Sequence, residues 1–206
     1  KNSFIRKIIE LLTHIDRRAG LPKYNSETFT NFFKKNVKKI TLERVIDRKV
    51  VIYSTCFVNF NKKNTGVAAL KVLKKNGVEV EHAYPGCCGM PFLEQADLPK
   101  VVKQAKEVSS ELLKWVDKGY EVVTLTASCG LMLKFEWPLL LPDNENIKKL
   151  SKHVFDIDEY VVDIANNEGL APGLSEIDGG VTVHNACHAR AQNMGIKARD
   201  MLKNIP

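Results

Sequence analysis

The chain has 206 residues, of which 44% are hydrophobic and 27% are charged. This composition is that of a globular protein and excludes the disordered and fibrous classes. The net charge of +7 lies at one end: residues 1–50 hold 13 Lys and Arg against 5 Asp and Glu, while the remaining residues hold 18 against 19. Because a nucleic-acid binder spreads its basic residues over a binding face, no nucleic-acid partner is predicted.

The first 48 residues are predicted to form a basic helical extension. Apolar residues recur every three or four positions over residues 3–18, which predicts an amphipathic helix. A second, short helix is predicted over residues 25–36, with Asn25 or Ser26 as its cap. Three interpretations of the first helix stay open: a solvated face, a docking surface for a partner subunit, and a helix lying on a membrane surface.

From residue 49 onward, predicted strands and helices alternate. Short apolar runs predict strands over residues 50–53, 78–84, 122–127 and 181–184. The helical pattern predicts helices over residues 65–75, 97–118, 130–140, 144–152 and 157–167, and from 187 to about 203. Strand–helix alternation with short loops predicts an α/β fold, in which a parallel, Rossmann-like sheet carries helices on its faces.

The five cysteines all follow predicted strands. Cys56, Cys129 and Cys187 come directly after a strand, and the Cys87–Cys88 pair lies in a loop just after another. Because ligands of parallel sheets bind beyond the carboxyl ends of the strands, the thiols are expected to converge at one edge. An odd number of cysteines and the lack of a secretory signal argue against a disulfide framework and favour a reducing cytoplasm.

A weak internal repeat relates residues 51–56 to residues 182–187, because each segment is a strand that runs into a cysteine and then a helix. The repeat predicts a first cysteine-rich unit over residues 49–168 and an incomplete second unit over residues 169–206. The chain opens on Lys1 rather than Met, so it is expected to be part of a longer protein.

Several thiolates in one small volume suit an iron–sulfur cluster, because each iron takes tetrahedral sulfur ligation. Gly86 and Gly89 allow a tight backbone around the vicinal pair Cys87–Cys88. Zinc is an alternative, although structural zinc sites usually use C-x2-C spacing, which this sequence lacks. Two further alternatives are a metal-free redox protein with a reversible Cys87–Cys88 disulfide, and an assembly module that keeps only the fold.

The sequence around the cysteines resembles the cysteine-rich "CCG" domain. This domain occurs in the B subunit of heterodisulfide reductase, in the iron–sulfur subunit of glycolate oxidase and, with the strongest resemblance, in the C subunit of anaerobic glycerol-3-phosphate dehydrogenase. The segments that carry the resemblance are residues 21–24, 27–29, 55–59, 87–91, 128–129 and 184–195.

The resemblance implies an electron-transfer component of an oxidoreductase rather than its substrate-oxidising subunit. It implies that Cys56, Cys87, Cys88 and Cys129 bind a first iron–sulfur cluster, of the 4Fe–4S type. It also implies that Cys187 is the first ligand of a second cluster, whose site is incomplete in this sequence.

Neighbouring residues depart from the family pattern or extend it. The family pattern ends in C-x2-C, but this chain has Met132 at the last position, and we expect that side chain to pack in the core. His184, His188 and Arg190 flank Cys187 and are candidates for tuning a cluster. The alternatives are histidines that are hydrogen-bonded near the core and an arginine in the first turn of a helix.

The resemblance also implies partners and a location. The implied partner is a flavoprotein dehydrogenase or another oxidoreductase subunit, with a ferredoxin-like domain upstream, since this sequence has no C-x2-C-x2-C-x3-C run. Quinone is implied as an electron acceptor. The expected location is the cytoplasm, with peripheral contact at the inner face of the cytoplasmic membrane.

Overall fold

A four-stranded sheet lies at the centre of the computed structural model, which describes residues 3–20, 22–42 and 44–206. Leu21, which belongs to one of the family-like segments, lies outside the described residues. The strands are β1 (Lys49–Tyr53), β2 (Glu79–Ala83), β3 (Glu121–Thr124) and β4 (Val154–Asp156). All strand pairs are parallel, in the order β2-β1-β3-β4.

Helices cover both faces of this sheet, so the predicted α/β fold with a parallel, Rossmann-like sheet is confirmed. Besides the α-helices, the chain forms a 3-10 turn (Val37–Lys39) and a π-helical turn (Met132–Glu136). In chain order the helices are α1 (Ser3–Thr13), α2 (Phe29–Asn36), α3 (Thr55–Phe60), α4 (Lys63–Lys75), α5 (Met90–Leu93), α6 (Leu98–Val116), α7 (Ala127–Leu131), α8 (Trp137–Leu140), α9 (Glu145–Ser151), α10 (Ile157–Asn167), α11 (Cys187–Ala191) and α12 (Lys197–Leu202).

The central strand β1 divides the apolar interior into two layers. Successive side chains of a strand point to opposite faces of its sheet. Val51 and Tyr53 therefore pack in the layer that contains α6 and α9, while Val50 and Ile52 pack in the layer that contains α2, α4 and α10. All four side chains are fully buried, which explains why β1 is a continuous apolar run rather than an alternating one.

The order of the strands creates a switch point beside β1. The chain leaves β1 for β2 on one side, then crosses back to β3 on the other side, so Ile52 pairs with both His82 and Val123. Because the winding direction reverses between β1 and β3, the crevice beyond their carboxyl ends is where ligands bind in sheets of this kind.

The predicted fourth strand over residues 181–184 is wrong. Those residues are irregular and mostly exposed, and the fourth strand is β4, which pairs with β3. Two valines among four residues favour a strand locally, but a strand needs a partner, and none lies beside this segment in the described part of the chain. The three residues of β4 are too few for a pattern, and Asp156 already caps α10 in a capping box with Glu159.

The helices near the N-terminus differ from prediction at their ends. Helix α1 ends at Thr13 rather than at residue 18. The proposed caps Asn25 and Ser26 are wrong, because α2 begins at Phe29 and the hydroxyl of Thr28 accepts the backbone N–H of Asn31 at 3.2 Å.

Helix α1 is amphipathic, as the sequence predicts, and most of its apolar side chains are exposed. Phe4, Leu11 and Leu12 are 70%, 77% and 75% exposed. The guanidinium of Arg6 donates to backbone carbonyls of the segment that follows the helix, including that of Arg17 at 2.8 Å. In the described residues, none of the helices combines the length and the apolar character that crossing a membrane requires.

Candidate metal centre

Four cysteines meet at the carboxyl edge of the sheet, around the switch point between β1 and β3. Cys56 is the second residue of α3, directly after β1, and Cys129 is the third residue of α7, after β3. Cys87 and Cys88 lie in the loop between β2 and α5. Cys88 and Cys129 are buried, whereas Cys56 and Cys87 are partly exposed. The structure thus assembles thiols from three strand ends.

The four thiols form contacts in pairs. The Sγ atoms of Cys88 and Cys129 lie 3.2 Å apart. The thiols of Cys56 and Cys87 share a hydrogen bond, and Cys87 also interacts with the thiol of Cys88. The backbone N–H of Gly89 donates to the Sγ of Cys87 at 3.4 Å. A chain of sulfur contacts therefore runs from Cys56 to Cys129.

These contacts shift the pKa values of three thiols in different directions. The hydrogen bond from Cys56, aided by the thiol of Cys88 and the N–H of Gly89, lowers the pKa of Cys87. The hydrogen bond with Cys87, together with burial, raises the pKa of Cys56, and the contacts with Cys129 and Cys87, together with burial, raise the pKa of Cys88. Among these three thiols, Cys87 is therefore the one whose contacts favour the thiolate.

Two fully buried aromatic residues hold the loop of the vicinal cysteines in place. The hydroxyl of Tyr53 donates to the carbonyl of Gly86 at 2.7 Å, and the indole N–H of Trp137 donates to the carbonyl of Cys88 at 3.0 Å. Gly89 has φ +88°, a conformation that suits glycine. Sequence reasoning missed both aromatic residues, although a buried Tyr or Trp normally needs a partner for its polar atom.

Two tyrosines near the thiols stay protonated at neutral pH. Burial, followed by the nearby cysteine charges, raises the pKa of Tyr53 well above its usual value. The same causes raise the pKa of Tyr84 to about 12. The ring of Tyr84 packs edge to face on Phe60, with 5.6 Å between centroids. Met132 is fully buried in the same apolar layer as Cys88, as expected for a core residue.

Cys187 lies outside this group of thiols. It is exposed, and it begins α11 without following a strand. His184 and Arg190 are also exposed, while His188 is partly buried. Helix α11 nevertheless packs against α7, the helix that carries Cys129.

The contact between α11 and α7 depends on a residue that sequence reasoning missed. Gln192 is 3% exposed, and its side-chain amide donates to the carbonyl of Ala127 at 3.1 Å. A Cβ at position 130 would come within 3.0 Å of this amide, so Gly130 permits the close approach. The C-terminal segment is thus anchored on the helix of Cys129.

Throughout residues 3–20, 22–42 and 44–206, no group of three or more Cys, His, Asp or Glu side chains is arranged to hold a metal ion. The thiols are paired by direct contact instead, as in Cys88 with Cys129. Their fit to a metal group therefore depends on the chemistry of the donor set rather than on a preformed coordination sphere.

Comparison with known proteins gives matches along most of the chain. Residues 50–134 match the family described as "CCG: Cysteine-rich domain". The C subunit of anaerobic glycerol-3-phosphate dehydrogenase from Escherichia coli K12 is 26% identical over 204 residues, which cover 98% of this chain and 50% of that protein. The chain thus spans about half the length of this relative.

A second group of relatives consists of proteins named lactate utilization protein A. Lactate utilization protein A from Geobacillus sp. WCH70 is 27% identical over 164 residues, covering 76% of this chain and 65% of that protein. Its counterpart from Bacillus pumilus is 30% identical over 145 residues, which cover 68% of this chain and 58% of that protein. No solved structure matches the chain. These matches confirm the resemblance that the cysteine motifs predict.

Proposed function

We propose that this chain, whose residues 50–134 form a cysteine-rich domain of the CCG family, is an iron–sulfur electron-transfer component of a larger oxidoreductase. The observation that carries the proposal is the meeting of four thiols from three strand ends at the switch point of the sheet. The relatives support the general role, since one of them is named as a subunit of a dehydrogenase.

The donor set suits a cluster of the 4Fe–4S type. Four thiolates can each bind a different iron of such a cluster, and Cys56, Cys87, Cys88 and Cys129 would be those ligands. When bound, the cluster would accept and release one electron at a time. Sulfurs on different irons lie roughly 6–7 Å apart, given metal–sulfur bonds of about 2.3 Å. The 3.2 Å contact of Cys88 with Cys129 is that of free thiols, and binding requires these side chains to separate.

The surrounding residues supply what such a site needs besides ligands. Backbone N–H groups of Phe57, Gly89 and Met90 lie at the sulfurs and stabilise their thiolate forms. Tyr53 and Trp137 hold the loop of the vicinal cysteines, and the apolar layer behind them limits access of water. Burial and hydrogen bonds to sulfur are the factors by which a protein sets the potential of a cluster.

The same proposal assigns the three parts of the chain and a second cluster site. Residues 1–48 would form a basic extension, residues 49–168 the first unit and residues 169–206 the start of a second. Cys187 would be the first ligand of a second cluster, with His184, His188 and Arg190 beside it. Support comes from the packing of α11 on α7, which brings the segment of Cys187 onto the helix of Cys129.

The proposed partner is a flavoprotein dehydrogenase or another oxidoreductase subunit, with a ferredoxin-like domain supplied upstream or by a partner. The proposed acceptor is quinone, reached by peripheral contact at the inner face of the cytoplasmic membrane. The exposed apolar side chains of α1 and the surrounding basic residues support a docking role for the extension.

The test compares two cysteine variants of protein that is purified without oxygen. We expect the unmodified chain to bind iron and sulfide in equal amounts and to absorb broadly in the visible range. Cys88→Ser should lose most of the iron, because it removes a buried ligand, whereas Cys187→Ser should keep it, because this thiol is exposed and is not one of the four proposed ligands.

Two outcomes contradict the proposal. A colourless protein in which Cys87 and Cys88 titrate reversibly would indicate the thiol–disulfide alternative. A colourless protein without reversible thiol chemistry would indicate an assembly module. Equal iron content in Cys88→Ser and in the unmodified chain would remove Cys88 from the ligand set.

A further inference from the structure

Thr55, the residue before Cys56, has an unusual backbone. Its φ is +59°, although it is β-branched and its side chain is fully buried. The left-handed region is unfavourable for residues with a Cβ and is rare for β-branched ones. Glycine would fit this turn without strain, so the conformation of Thr55 indicates that its side chain has a task there.

The hydroxyl of Thr55 makes two hydrogen bonds that glycine could not provide. It accepts the backbone N–H of Val58, in the first turn of α3, at 3.3 Å. It also shares a hydrogen bond of 3.2 Å with the hydroxyl of Thr126. The second bond crosses from the turn after β1 to the turn after β3, which are the two sides of the switch point.

Thr126 is connected in turn to the helix of Cys129. Its carbonyl accepts the backbone N–H groups of Cys129 at 2.9 Å and of Gly130 at 3.1 Å. A continuous path of covalent and hydrogen bonds therefore runs from Cys56 through Thr55 and Thr126 to Cys129. This path joins the two turns that carry these thiols without passing through sulfur.

We propose that the Thr55–Thr126 hydroxyl pair is a positioning device that sets the separation of Cys56 and Cys129 at the sheet edge. Neither residue touches sulfur through its hydroxyl in these contacts, so both act through the turns that they join. Two thiols held at a fixed separation would preorganise a cluster site. This consequence of the positioning role rests on the proposed function.

The test uses Thr55→Val and Thr126→Val, which remove one hydroxyl each and keep the shape of the side chain. In reduced, metal-free protein we expect either change to raise the alkylation rate of Cys56 about fivefold, the factor by which one hydrogen bond changes an equilibrium. The double variant should be no more reactive than Thr55→Val, because Thr55→Val already removes the hydroxyl–hydroxyl bond that Thr126→Val removes. Serine at either position should restore the original rate.

Protein with the cluster bound allows a second measurement, the midpoint potential of that cluster. We expect this potential to shift in both valine variants and to return to the value of the unmodified chain in the serine variants. Ile164→Val is the control, because it removes one buried methylene group from α10, a helix that carries neither the threonine pair nor a cysteine. It should change the melting temperature without changing the alkylation rate or the potential.

The results separate this proposal from the proposed function. Unchanged alkylation and an unchanged potential in both valine variants would overturn the positioning role. A chain that binds no iron, but whose Cys56 reacts faster in both valine variants, would support the positioning role and overturn the proposed function. Effects in Ile164→Val as large as those in the valine variants of Thr55 and Thr126 would show a general loss of stability and overturn the positioning role.

Discussion

Two regions of this chain carry the same local pattern, a β-branched run that leads into a cysteine, and fold differently. At residues 50–56 the run is β1, paired on both sides, and Cys56 joins the other thiols at the sheet edge. At residues 181–187 the run is irregular and Cys187 is exposed. Strand pairing, rather than the local motif, therefore brings the cysteines together.

The largest expected difference is in thiol reactivity. In reduced, metal-free protein, Cys187 should be alkylated about 100-fold faster than Cys88, because a buried thiol reacts only after local opening. Its raised pKa slows Cys88 further. Peptide mass spectrometry over a time course measures both rates in one sample. Similar alkylation rates for Cys187 and Cys88 would contradict this expectation, since they would mean that the site of Cys88 is accessible to the reagent.

The two runs should also differ in their contribution to stability. Ile52→Ala should lower the free energy of unfolding by about 2–5 kcal/mol, because it leaves a cavity in a fully buried strand. Val181→Ala should change it by less than about 0.5 kcal/mol, since Val181 is 55% exposed. Urea titration of both variants is the measurement. A large loss in Val181→Ala would show that residues 181–184 are packed after all.

A buried carboxyl group beside the C-terminal segment predicts a pH dependence. Burial raises the pKa of Asp156 from 3.8 to about 6, and Gln192 from the C-terminal segment lies beside it. The folded state therefore binds a proton that the unfolded state releases. Stability should fall by about 2–3 kcal/mol as the pH rises from about 4 to above 6.

The control for this pH dependence is Asp156→Asn, which keeps an N-cap for α10 and removes the titration. The slope of the free energy of unfolding between pH 4 and pH 7 should become flatter in this variant. A slope equal to that of the unmodified chain would assign the pH dependence to other groups.

The smallest expected effect concerns the link from β1 to the loop of the vicinal cysteines. Tyr53→Phe should cost about 1–2 kcal/mol, because it leaves the carbonyl of Gly86 without its donor. Tyr24→Phe, at a site that is 77% exposed, should cost nothing measurable. Thermal melts of the two variants provide the comparison, and an equal cost would mean that Tyr53 does not hold the loop.

Much of the segment from β1 to α6 could be predicted, because its signals are local. The apolar run of β1 and the periodicity of α6 predict elements that the structure contains. The strand β4 could not be predicted, because three residues carry no periodicity and only pairing with β3 defines them. The roles of Tyr53 and Trp137 could not be predicted either, because their partners are 33 and 49 residues away in the chain.

Local patterns are enough to predict a parallel α/β sheet and cysteines after β1, β2 and β3, because these features depend on neighbouring residues. The direct contacts among the thiols, the left-handed backbone of Thr55 and the anchoring of the C-terminal segment by Gln192 are visible only in the folded chain. The physical reason is that strand pairing and buried hydrogen bonds join residues far apart in sequence, and local propensity does not specify such contacts.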